Sequence, residues 1–173
     1  MDVKVAGWDN KEAVKLNQTL QIETGKSIRF ENVASFRKKM KESEIQMSVG
    51  KFINDLKQSG AQKNGPMITA TFGMEEINGE RILDMEFLVP LDRSIELNKE
   101  YIFKPIFHLM HAIYTRHVGK SSVIQKTYTD LIEYIRQNRL QQITVAYNVN
   151  DDNVRLGDDQ IIDVYIGVNP SVL

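Results

Sequence analysis

Asp163 and Tyr165 stand two residues apart in the segment Gln160 to Val168, and that spacing puts both side chains on one face of an extended strand. A carboxylate beside an aromatic ring can hold a cation by charge and by ring face together, so the pair is a candidate ligand-binding site. A solvent-facing Asp163 on an open sheet is the alternative, and both readings stand at this point. A carboxylate buried alone costs on the order of several kcal/mol, so a pocket Asp163 needs either a ligand or a resident donor. Glu86 is read as its counterpart in an earlier segment, Arg81 to Leu91, with Leu88 in the place of the aromatic. Tyr147 is carried as a further lining residue. General acid–base work by Glu86 and Asp163 would require environments that split their pKa values. The sequence has no glycine-rich phosphate loop, nucleophile elbow or clustered acidic metal motif, so no catalytic residue is assigned and the balance leans away from an enzyme. His108, His111 and His117 share one strand-like stretch without known ligand spacing, which predicts no metal and no cofactor.

Helices must position these residues. Ile45, Val49, Phe52, Ile53 and Leu56 form one apolar stripe, predicting a helix from Ser43 to Ser59. Ser43 and Gln46 have the spacing of a capping box, and Gly60 sits where a left-handed cap is wanted. A second helix is expected from Ser122 to Asn138, with Ile124, Tyr128, Leu131, Ile132 and Ile135 on its stripe and Ser122 and Gln125 as its cap. Every matched position of the two helices differs by 79, which marks an internal repeat.

Strand character flanks each helix. Ser27 to Met40 and Tyr101 to Val118 precede them; Met67 to Phe72 with Arg81 to Leu91, and Ile143 to Asn148 with Gln160 to Val168, follow. Leu83, Met85, Phe87, Val89 and Leu91 share one strand face, as do Ile162, Val164, Ile166 and Val168, and these faces belong under the helices. The chain is therefore expected to be one α+β domain, 1–173: an arm (1–26), a first strand-helix-strand-strand unit (27–91), a joint (92–100), a second unit (101–168) and a tail (169–173). Val14 to Leu20 in the arm is read as a short helix or strand that either pairs with another chain or simply covers a sheet edge.

The bulk properties narrow the function. With 22 basic and 23 acidic residues the formal net charge is -1, which leaves no broad electrostatic footprint for nucleic acid. There is no cysteine, so disulfides and thiolate chemistry are excluded. The amino terminus lacks the order of a signal peptide, and no stretch approaches the roughly 20 apolar residues of a membrane helix. The expected setting is the cytoplasm, with no membrane partner.

Gly119-Lys120-Ser121-Ser122 running into Ile124, Tyr128, Leu131 and Ile135, and Asp163-Val164-Tyr165-Ile166-Gly167-Val168, resemble the glycine, pocket helix and closing strand of the GyrI-like effector-binding fold. Gly65-Pro66 and Glu86-Phe87-Leu88-Val89-Pro90 fit the corresponding places in the first half. The resemblance spans Ser27 to Val168. It implies an antiparallel concave sheet with both helices on the convex face and a ligand cleft between the two units. It also implies a stand-alone domain similar to uncharacterised members from Gram-positive bacteria, some of which accompany secreted-toxin genes. In relatives that bind cationic drugs a closing-strand glutamate lies in the cleft, and the matching residue here is Asp163. Ser121 replaces the tyrosine of many relatives, and Gly167 the expected proline. The expected partner is a small organic molecule, cationic or aromatic, held by Asp163, Tyr165, Glu86 and Tyr147. A polypeptide-binding accessory of a secreted-toxin system is the alternative, and a small-molecule hydrolase a third reading.

Overall fold

Long runs of alternating branched and aromatic residues make strands, and two stretches with a 3.6-residue period make helices. In the computed structural model, which describes residues 20–156 and 159–171, they run in the order β1 (Glu23–Lys41), α1 (Ile45–Gln58), β2 (Met67–Ile77), β3 (Glu80–Pro90), β4 (Ile102–Gly119), α2 (Ile124–Gln137), β5 (Gln141–Leu156) and β6 (Asp159–Asn169). Ile45 to Ile124, Gln58 to Gln137, Glu80 to Asp159 and Pro90 to Asn169 are each 79 apart.

The expected antiparallel sheet curves far enough to close. All pairings are antiparallel, and the strand order β1-β3-β2-β5-β6-β4 closes on itself as a barrel. The closing seam is short: β2 and β5 pair over Met67–Ala70 and Asn150–Tyr147, whereas β2 and β3 pair from Ile68 to Ile77. β5 runs on to Leu156, past the end at Asn148 that the sequence suggested, and meets β2 through Tyr147 to Asn150.

The two faces of the ring carry different cores. On the outside, Phe52 and Leu56 of α1 pack on Ala34, Phe36, Phe87 and Val89. Leu131 and Ile135 of α2 pack on Ile113, Ile162, Val164, Ile166 and Val168. The remaining clusters contain no helical residue and draw from all six strands, so they line the interior: Ile28, Leu109 and Ala112 beside Val33, Ile68 and Leu88, bridged by Phe30, Phe107, Tyr147 and Val149.

Two kinks set which residues point inward. Asn32 in β1 and His111 in β4 adopt positive φ (52° and 49°). Inward side chains fall at Phe107 and Leu109 before the second kink and at Ala112 and Tyr114 after it, so the parity of the strand reverses there.

Several local expectations change. Gly60 has the positive φ of a left-handed cap. The Ser43 and Ser122 caps do not form, because short 3-10 turns (Glu42–Glu44 and Ser121–Val123) precede the helices and neither helix has a side-chain cap. The Lys41 amide instead donates to Glu44 Oε2 at 3.1 Å. The expected arm of 1–26 overlaps β1, which starts at Glu23, and most of the Val14–Leu20 segment lies outside the described residues.

Candidate ligand-binding site

Cross-strand register assembles one row around the inner wall. Arg37 of β1 faces Glu86 of β3, Glu86 faces Ala70 of β2, Ala70 faces Tyr147 of β5, Tyr147 faces Tyr165 of β6, and Tyr165 faces Tyr114 of β4. Direct partners in a sheet share a face. Tyr165, Tyr147 and Glu86 therefore lie in one row, with Ala70 as its smallest member, and Asp163 lies one inward position further along β6.

Aromatic rings dominate one side of this wall. Tyr114 and Tyr165 pack with centroids 4.9 Å apart, and Phe107 and Tyr147 at 5.2 Å. All four are half-buried. Burial raises the pKa of each tyrosine; a neighbouring carboxylate adds to it, Glu86 for Tyr147 and Asp163 for Tyr165 and Tyr114. Tyr114 is pushed up to about 12. These phenols accordingly remain protonated hydrogen-bond donors at neutral pH.

Each inward carboxylate already meets a cation. Asp163 accepts a forked pair from Arg116 (Nε 2.8 Å, Nη2 2.9 Å) and a third bond from the Tyr114 hydroxyl at 2.8 Å. Asp84 accepts the same fork from Arg37 (3.0 and 2.8 Å), and the guanidinium also lies 3.7 Å over the Phe72 ring. That fork holds Asp84 below the ordinary carboxylate range, and Asp163 holds Arg116 further in its charged form. Glu86, only 6 % exposed, accepts Ser35 Oγ and Lys104 Nζ, both at 2.5 Å. Asp163 thus has resident donors, as a pocket carboxylate requires. A hollow of about 250 Å³ beside Asp84, lined by Lys39, Gly73, Met74, Glu75 and Ile82, adjoins the Arg37 end of the row.

The 79-residue register corrects the pairing of the two halves. Asp163 corresponds to Asp84, and Arg116 to Arg37, so the forked ion pair is the repeated feature. Glu86 corresponds to Tyr165, and Leu88 to Gly167. Sequence reasoning missed Asp84, Arg37, Arg116 and Tyr114. Asp84 was available from the shift itself, since it lies 79 before Asp163.

The histidines stand apart from this wall. His117 is buried, with Nδ1 2.8 Å from Thr127 Oγ1 and Nε2 3.2 Å from the Lys120 carbonyl, while His108 and His111 are exposed. Among the described residues no group of three or more His, Cys, Asp or Glu gathers as metal ligands, and no helix is long and apolar enough to cross a membrane.

No family model and no curated protein matches the chain. Solved structures do. The EcmrR C-terminal domain aligns with a TM-score of 0.70 at 15% identity, over 88% of this chain and 99% of that one. Against EcmrR in its DNA complex the chain spans 61% of that protein's length. An uncharacterized conserved protein from Listeria innocua aligns at a TM-score of 0.57 and 12% identity, over 92% of this chain and 98% of that one. A hydrolase from the same organism aligns at 0.54 and 10%, with the same coverage. At such identities the likeness is one of fold alone.

Proposed function

We propose that this chain is a small-molecule binding module of the effector-binding type, whose ligand seats on the inner wall of the ring between the two strand-helix-strand-strand units. The carrying observation is the half-buried set Phe107, Tyr147, Tyr165 and Tyr114 on one inward face, adjoining a buried carboxylate at Glu86. A wall serving only as core would bury these rings completely; partly open aromatic surface beside a few placed polar groups is what small-molecule sites are made of. The fold shared with the EcmrR C-terminal domain supports the reading. The ligand is a planar aromatic that stacks on Tyr147 and Tyr165, and the setting is the cytoplasm.

Hydrolysis, the activity named for one fold neighbour, is served less well. A general acid–base pair needs two carboxyl groups free to exchange protons, and Glu86 and Asp163 each face a cation.

Thermal-shift screening of a broad panel of aromatic compounds, charged and neutral, tests the proposal. At least one compound should raise the melting temperature of the wild-type chain, and Tyr147→Ala and Tyr165→Ala should each weaken that rise. A panel without a hit, or a hit indifferent to both substitutions, would sink the reading.

A further inference from the structure

We propose that Lys104 is a built-in cation that occupies the place a ligand's positive charge would take beside Glu86, so that the inner wall favours neutral aromatic ligands over aromatic cations. The inference rests on the inner wall being the ligand site. Glu86 is the one carboxylate among the described residues with under a tenth of its surface exposed, and a carboxylate so placed needs a partner. Its ionic partner comes from the other half of the chain. Lys104 stands on β4 and Glu86 on β3, with β1 between them in the ring.

The three ion pairs on this wall are not alike. Asp84 and Asp163 are held by guanidinium forks, which fix two hydrogen bonds in a plane. Lys104 offers a single ammonium on a flexible stem that is about one-third exposed (31%), so its bond to Glu86 is the one a ligand can displace. Glu86 and Tyr147 are both direct cross-strand partners of Ala70, one on each side of β2, so only that small residue separates them along the row. A ring stacked on Tyr147 therefore brings its substituent toward the Glu86–Lys104 pair. An ammonium or other cation must evict Lys104 to be paired there, whereas a hydroxyl or amide can bond to either member and evict nothing. The second half lacks the device: the position 79 residues before Lys104 is Gly25, and Tyr165 and Tyr114 stand where the first half has Glu86 and Ser35.

Titration calorimetry at neutral pH with naphthylmethylammonium, naphthylmethanol and naphthoate tests this on the full chain. Wild type should bind the alcohol more tightly than the ammonium. Lys104→Met should raise affinity for the ammonium roughly tenfold, the scale of a single charge-assisted hydrogen bond, with little change for the alcohol. Lacking an unpaired carboxylate, the double variant Lys104→Met with Glu86→Gln guards against misfolding as the cause; it should melt like the wild type and bind the ammonium no better than the wild type does. A wild type that prefers the ammonium, or an ammonium-to-alcohol ratio unmoved in Lys104→Met, overturns the role of Lys104 while leaving the binding site in place. Failure of all three probes to bind any of these proteins counts against the site as well.

Discussion

Where the first half of the ring sets Glu86 beside Ser35 and against Lys104, the second half sets Tyr165 against Tyr114 and has Gly25 in the third position. Equivalent backbone positions carry an ionic cluster on one side and an aromatic pair on the other. The outward faces show no such divergence: Phe52 and Leu131, Leu56 and Ile135, Phe87 and Ile166, and Val89 and Val168 are apolar at each matched position. The forked pairs Arg37–Asp84 and Arg116–Asp163 also match. A helix must find an apolar floor in both halves, because burying that stripe is what stabilises it. The inner wall carries no helix and is free to differ. The chemistry of this molecule therefore lies in what the repeat does not conserve.

The alike part of the comparison carries the largest expected effects. Phe52→Ala should cost about 3–5 kcal/mol and Leu131→Ala about 2–5 kcal/mol in urea unfolding, since both side chains are fully buried under equivalent helices. A value near zero for either would mean that the halves are not energetically equivalent. Next comes Gly167→Ala, for which a Cβ would approach Leu109 Cδ1 to 2.9 Å and Thr144 to 3.0 Å. Overpacking of this kind costs about 1–3 kcal/mol, a penalty the first half avoids because Leu88 fills the matching place, and a thermal melt would measure it.

The smallest effect separates the halves by pH. Tyr114 has a folded pKa of about 12, above the ordinary phenol value of 10.0. Between those values the folded chain keeps a proton that the unfolded chain has lost, so stability is complete below pH 10 and declines as pH rises through this window. Tyr114→Phe should flatten that alkaline decline in stability measured against pH. Ser35, its first-half counterpart, has no such proton to lose, and Ser35→Ala should leave the alkaline slope as it is.

Both helices were legible from their stripes, and the outward strand faces from alternation, because apolar periodicity is imposed locally by the surface each element buries. The inner wall was legible in part. Tyr165 and Asp163 follow from parity along β6, which is straight. Tyr114 and Arg116 do not, because counting from Phe107 and Leu109 through β4 assigns odd residues inward until the kink at His111 reverses the count. Nothing local announces that kink: glycine or proline would have marked it, and histidine does not. Closure of the ring was likewise invisible, since it depends on β5 meeting β2 across a distance no spacing encodes.

That closure bears on polypeptide partners. A strand inside a ring has neighbours on both sides and offers no template to an incoming chain. Along β2 the seam with β5 ends at Ala70, which leaves Thr71 to Ile77 paired on the β3 side alone among the described residues. A bulge between Thr71 and Gly73 and the carboxylates Glu75 and Glu76 guard that free edge, with Met74 and Ile77 exposed along it. Strand addition or edge-to-edge aggregation has a starting point on this stretch of β2, and removing its two glutamates would make it a stickier one.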